Sequence, residues 1–310
     1  MLKYYYKTGQ SDKLEELEKF QKGVWIYVEN PTQDEVATLI TAHGLDEGLV
    51  ADALDEDEMP RLERDGELVY VYVRAAVALA SGAFDTVPLL IVYGPDCLIT
   101  ISLRKLPHFA PFFGTSRLAF ATTHRTRLML QILNEVAEQY DRYITTMSKQ
   151  IKAIRNRLRG HEIRNKDFID FVTIEDEINE FLAALLPANA TLRRMTLGRS
   201  IVLHEDDKDV IEDLELGITQ SIEACRSNTK SIINIRQAYS SISSNNLNRS
   251  IKILTIVTVM ITVPNIFFSM YGMNVKLPFA EMEWVFGALI LLIIIVLIFA
   301  YSILKRKRVI

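Results

Sequence analysis

Cysteine is nearly absent: Cys97 and Cys225 stand alone in 310 residues. Neither has disulfide or metal-ligand spacing, which excludes a disulfide scaffold or a zinc cluster and fits a reducing compartment. Histidine is also sparse, with five residues and none beyond His204. No phosphate loop, nucleophile elbow or metalloprotease helix occurs, so an enzyme is not expected. Basic charge is not in excess: 35 Lys and Arg face 39 Asp and Glu, for a net charge of -4. A nucleic-acid partner, which needs a basic stripe, is therefore not expected either. The N-terminal stretch MLKYYYKTGQSDKLEELEKF turns charged at once and lacks the apolar run of a secretory signal.

Charge itself is missing from one region. Between Ile253 and Leu304 only Lys276, Glu281 and Glu283 are charged, all in the middle of the stretch. They separate two uncharged spans, Ile253 to Tyr271 and Trp284 to Leu304, each near the roughly 20 residues a helix needs to cross a bilayer. Lys252 precedes the first span and Lys305, Arg306, Lys307 and Arg308 follow the second, so both termini are expected in the cytoplasm of a multi-pass cell-membrane protein. The loop Gly272 to Glu283 then faces outside.

The remaining sequence reads as soluble. Strand patterns cover Val24 to Val28, Leu68 to Val77, Val87 to Val92 and Cys97 to Leu103, the last two joined by the turn Tyr93-Gly94-Pro95-Asp96. Thr32 and Glu35 form a capping-box pattern before DEVATLITAH, which Gly44 ends. This predicts a mixed α/β domain over residues 1 to 120. The carboxylates Asp52, Asp55, Glu56, Asp57 and Glu58 before Pro60 are either a candidate site or a solvated helix end and turn.

From Thr126 apolar residues return every three or four positions, predicting long helices over a stalk of residues 121 to 252. The first helix ends at Gly160. The second is expected from Phe168 to about Leu203 with a kink at Pro187, and the third from about Val210 until Pro264. The third would reach from the soluble part into the membrane, on the order of 90 Å for about 60 residues. Its stretch QAYSSISSNNLNRS reads equally as a flexible linker.

The two spans differ in character. The second is apolar all round until Tyr301 and Ser302, whereas the first carries Thr255, Thr258, Thr262, Asn265 and Ser269, and Asn248 continues the same row. At about 100° per residue, all project within roughly a 100° sector. A threonine in a membrane helix satisfies itself on its own backbone, but an asparagine amide in hydrocarbon leaves several groups unpaired, at several kcal/mol. Asn265 must therefore face protein or water. The row is either a water-lined path or a polar contact between helices. Two helices cannot enclose a path for a hydrated ion, so a path requires several copies, with the first span inside and the second outside. Amide and hydroxyl oxygens suit a hard cation such as Mg2+, which sheds its water reluctantly.

The first span ends in Tyr271-Gly272-Met273-Asn274, followed by a short loop, the second span and a basic tail. In this the sequence resembles the CorA family of magnesium transporters, whose signature is a Gly-Met-Asn triplet after the first of two C-terminal transmembrane helices. The segment LDEDEMPRLERDGELVYVYV resembles the family's acidic segment more loosely. The resemblance implies an α+β chain: an N-terminal cytosolic α/β domain, a long helical stalk, two transmembrane helices (253–271 lining the pore, 284–304 outside), a basic tail at 305–310, and a funnel-shaped homopentamer. It implies that Gly272, Met273 and Asn274 form the outer mouth, with an Asn274 ring holding a hydrated cation by hydrogen bonds. Pro264 stands one position later than in some family members, and the pore-constricting methionines are not clearly matched. A hydrophobic gate falls to Leu247, Ile251 and Leu254. Glu281 and Glu283 either concentrate cations at the mouth or are simply solvated, with Lys276 opposing them. Mg2+ is then the cargo, with Co2+ or Ni2+ as surrogates. A regulatory Mg2+ between subunits falls on Asp85, Asp213 and Glu215, unless these are ordinary surface acids.

Two other readings compete. A ZntB-type zinc transporter would depart from Gly-Met-Asn and favour histidine and cysteine ligands, neither of which applies. A membrane-anchored sensor or scaffold would need two interchangeable apolar anchors, yet only one span is uniformly apolar.

Overall fold

The computed structural model describes all residues except 12, 114–119, 161–164, 198–200, 202, 274–281, 283 and 307–310. The chain forms two compact units, Met1–Ile235 and Arg236–Ile310.

The first unit is built on strands β1 (Leu2–Tyr6), β2 (Glu15–Leu17), β3 (Val24–Glu29), β4 (Arg61–Asp65), β5 (Leu68–Ala78), β6 (Phe84–Tyr93) and β7 (Cys97–Ser102). They form one seven-stranded sheet in the order β2-β1-β3-β7-β6-β5-β4. Strands β3 and β7 run parallel, with Ile26 opposite Ile99, and every other pair is antiparallel. The central strands are apolar on both faces because both faces are covered. Val24, Ile26, Val28, Tyr70, Tyr72, Ile99 and Ile101 form a core with Leu39 of α1 (Gln33–His43), Val50 of α2 (Glu47–Asp52) and Leu45 between them. Trp25 and Tyr27 alternate to the other face, where rings of Phe109, Phe112 and Phe113 meet Trp25 at 5.5–5.7 Å, the last two from α3 (Ala110–Phe113).

Thr32 and Glu35 close the start of α1 as the pattern requires, each side chain meeting the other's backbone N–H. Gly44 ends the helix at φ 63°, a left-handed conformation that glycine adopts without strain. The acidic segment around the end of α2 is partly paired and held by its backbone. Arg61 pairs with Asp52 at 2.6 Å and with Glu58, and the buried Arg74 guanidinium donates to the carbonyls of Glu56 and Glu58 at 2.8 and 2.9 Å.

Helices α4 (Arg125–Arg159), α5 (Asn165–Leu197) and α6 (Glu205–Tyr271) follow. The Tyr140 hydroxyl of α4 donates to the Arg74 carbonyl at 3.0 Å, and Ser148 and the Asn228 amide of α6 bond each other at 2.9 and 3.1 Å. Helix α5 ends earlier than the sequence predicts and carries Pro187 within it. Helix α6 starts earlier, at Glu205, because Asp207 accepts from the His204 N–H at 3.1 Å and acidic residues suit a helix start. Its serine-rich stretch is helical, not a linker, and Pro264 lies inside the helix instead of ending it. Such prolines are tolerated where neighbouring groups re-satisfy the freed carbonyl.

In the second unit, residues from Arg236 onward complete α6, and α7 spans Trp284–Arg306. The apolar side chains here stand outward: Leu254, Leu291 and Phe299 are 60–66% exposed. A surface of this kind is stable in lipid or against other copies, not in water.

Candidate ion path

Six polar residues of α6 and three apolar ones share one side of the helix, and all nine are exposed: Asn248, Thr255, Thr258, Thr262, Asn265 and Ser269, with Leu247, Ile251 and Leu254. Local chemistry explains how threonines persist in an apolar helix. Thr255 donates to the Ile251 carbonyl at 2.8 Å, Thr258 to Leu254 at 2.9 Å and Thr262 to Thr258 at 2.7 Å. Each hydroxyl hydrogen is thus satisfied within the helix, and only the oxygen faces outward. Asn265 has four amide hydrogen-bonding sites and no such local solution.

The row continues to Ser241, seven residues before Asn248, whose hydroxyl donates to the Gln237 carbonyl at 3.0 Å. Sequence reading omitted this residue, although the seven-residue step was there to find it. At the other end, the Gly272 N–H donates to Phe268 at 3.1 Å and the Met273 N–H to Met270 at 3.3 Å, which closes α6. Both residues are exposed. Gly272 has no positive φ, and an added Cβ would meet only backbone oxygens at 3.6 and 3.7 Å, so nothing among the described residues demands glycine here. Asn274, Lys276, Glu281 and Glu283 lie outside the described residues.

The acidic candidates of the first unit do not converge within one chain. Asp85 accepts from the Thr86 N–H at 2.8 Å, Glu215 pairs with Arg193 at 2.6 Å, and Asp213 is exposed. Among the described residues no group of three or more His, Cys, Asp or Glu is placed to hold a metal. The two cysteines are buried, and burial pushes their thiols up to about 11 for Cys97 and about 12 for Cys225. They sit there as neutral packing groups, not as thiolate ligands.

A sheet domain, long helices and two apolar helices, of which only the first carries a polar row, define a class: a membrane transport protein with a large soluble domain. The chain belongs to the CorA-like Mg2+ transporter protein family, whose model matches residues 20–306. It is 23% identical to the cobalt/magnesium transport protein CorA of Methanocaldococcus jannaschii over 287 residues, 90% of this chain and 89% of that one. The complete structure of the CorA magnesium transporter from that organism superposes with a TM-score of 0.87 at 20% identity, covering 99% of this chain and 98% of the other. The cytoplasmic domain of ZntB from Vibrio parahaemolyticus shares the fold at a TM-score of 0.64 and 12% identity, covering 78% and 98%. The soluble fold is thus common to both names.

Proposed function

We propose that the chain is a transporter, not an enzyme, and that it conducts hydrated Mg2+ through a path lined by the polar row of α6. Several copies, five by the family resemblance, surround that path, with α7 outside against lipid and both termini in the cytoplasm. Residues 1–120 then make the cytosolic α/β domain, 121–252 the stalk, 253–304 the membrane part and 305–310 the basic tail. The observation that carries the reading is the contrast between two neighbouring apolar helices, one with an outward polar row and one without. A lipid anchor has no use for such a row, and an asparagine within it opposes lipid contact.

In this reading Asn274 holds the hydrated ion at the mouth, with Gly272 and Met273 shaping it and Glu281 and Glu283 raising the local cation concentration. Leu247, Ile251 and Leu254 constrict the inner end, closing the path by excluding water. Inward movement needs no nucleotide, because two positive charges gain about 4.6 kcal/mol per 100 mV of inside-negative potential. Regulatory Mg2+ binds between copies at Asp85 and Asp213, and Glu215 joins them only by leaving Arg193.

Uptake by liposomes holding the purified full-length protein tests this, with Mg2+, Co2+ and Zn2+ compared. Mg2+ uptake is expected, collapsing in Asn274→Ala and falling in Asn265→Leu. Unchanged flux in Asn274→Ala removes the mouth assignment. Zn2+ uptake well above Mg2+ moves the cargo to zinc, and no uptake of any ion leaves a sensor or scaffold.

A further inference from the structure

The hydrogen-bond direction along the polar row carries information beyond its polarity. A hydroxyl has one hydrogen, and a carbonyl oxygen only accepts. Ser241, Thr255, Thr258 and Thr262 each place their oxygen 2.7–3.0 Å from the carbonyl four residues earlier, so in all four the single hydrogen is committed inward. What remains outward is lone pairs. Four groups that are donors and acceptors in general act here as acceptors alone. By helical periodicity Arg249 falls outside the row's sector, and Lys252 lies at its edge beside Ser241 and Asn248, below the threonines.

We propose that this row of committed hydroxyls sets the charge sign of the permeant ion without a fixed charge. The inference rests on the row lining the path, as above. Water in the first shell of a dication binds through oxygen and turns both hydrogens outward, so a hydrated cation presents a surface of donors. At these four positions the wall offers acceptors that complement it and let it keep its inner shell, as a small, strongly hydrated cation requires, while Asn248 and Asn265 can turn their amide oxygens to the same use. Water around an anion spends one hydrogen inward, so it offers such a wall half the donors that a cation's water does, and its outward lone pairs find no partner among these hydroxyls. A fixed carboxylate would attract the cation but also hold it. Neutral acceptors favour entry without a deep well, which suits conduction.

Threonine and valine have nearly the same shape, so the oxygen can be removed with little change in packing. Expected in liposomes holding full-length Thr258→Val/Thr262→Val is Mg2+ flux lowered by about tenfold or more, as for one to two lost hydrogen bonds to charged groups. In planar bilayers with a MgCl2 gradient, the reversal potential of this variant moves toward that of chloride. Thr258→Ser/Thr262→Ser, which restores a hydroxyl able to bond the same carbonyls, recovers most of the flux lost in the valine pair. Ser241→Ala, outside the apolar span, lowers flux in the same direction and serves as the second variant if the valine pair does not assemble.

Thr262→Cys, treated with a water-soluble cationic thiol reagent and compared with the unsubstituted protein, separates the two levels. Labelling with wild-type flux and reversal potential in both Thr258→Val/Thr262→Val and Ser241→Ala overturns the acceptor inference and leaves the path standing. Absence of labelling in a conducting protein overturns the path and the inference with it.

Discussion

Replacing Arg74 by methionine tests whether the acidic turn is held from inside the sheet domain. The guanidinium is 8% exposed and makes four hydrogen bonds: to the Thr86 hydroxyl at 2.7 Å, the Thr86 carbonyl at 3.0 Å, and the Glu56 and Glu58 carbonyls at 2.8 and 2.9 Å. Glu180 lies 3.6 Å away but is 42% exposed, so that pair contributes little. Methionine fills similar volume but donates nothing, leaving three carbonyls without this partner. Each buried acceptor so orphaned costs about 1–3 kcal/mol, and partial hydration of the turn lowers the sum to about 3–5 kcal/mol. Arg74→Lys recovers only part of this, because one ammonium cannot span β6 and the turn as a planar fork does. Urea unfolding of the full chain in detergent, followed by tryptophan fluorescence, reads the loss, since Trp25 is buried in β3. A loss below about 1 kcal/mol in Arg74→Met would show that the turn is held by Arg61 alone and refute the reasoning.

Further perturbations have equally definite outcomes. His108 is buried with neither ring nitrogen hydrogen-bonded, and burial, aided by Arg142, pushes its pKa down to about 3. The folded state keeps it neutral while the unfolded chain protonates below about 6.5, so stability falls as pH drops from there toward 3, by about 1.4 kcal/mol per unit, and is unaffected above. In His108→Leu the drop between pH 7.5 and 5.0 should shrink by about 2 kcal/mol in urea titrations; an unchanged difference assigns the acid lability elsewhere. Gly44 and Gly23 both have positive φ, 63° and 83°, but a Cβ at Gly44 meets nothing within 4 Å, whereas at Gly23 it meets Thr123 Cγ2 at 3.1 Å. Gly44→Ala should cost about 1 kcal/mol and Gly23→Ala roughly twice that, measured by thermal unfolding; equal losses would remove the steric part of the argument.

Much of this architecture is legible in the residues themselves. The four predicted strands are those whose aromatic and β-branched runs are buried on both faces, and Thr32, Glu35 and Gly44 mark α1 because caps are local chemistry. Strands β2 and β4 carry no comparable signal: EEL and RLERD owe their place to pairing with neighbours, whereas the three tyrosines of β1 are a strand signal too short and too close to the terminus to stand out. Pro264 misleads as a helix end, since a proline lowers helix propensity but the surrounding apolar run carries the helix through it, as the run around Pro187 does in α5. In the candidate site, the polar row is visible as spacing alone. The commitment of each threonine hydrogen is not, because it depends on a side-chain rotamer and not on residue type. The fate of the acidic turn is hidden for another reason: Arg74 reaches it from β5, sixteen or more positions away in sequence.

Pro264 leaves a mark on the backbone around it. Lacking an N–H, it cannot answer the carbonyl of Met260, so one rung is missing from an otherwise regular ladder. Bending stiffness is lowest where a rung is missing. Within the second unit the turns of α6 around Met260 are therefore the ones that bend most easily.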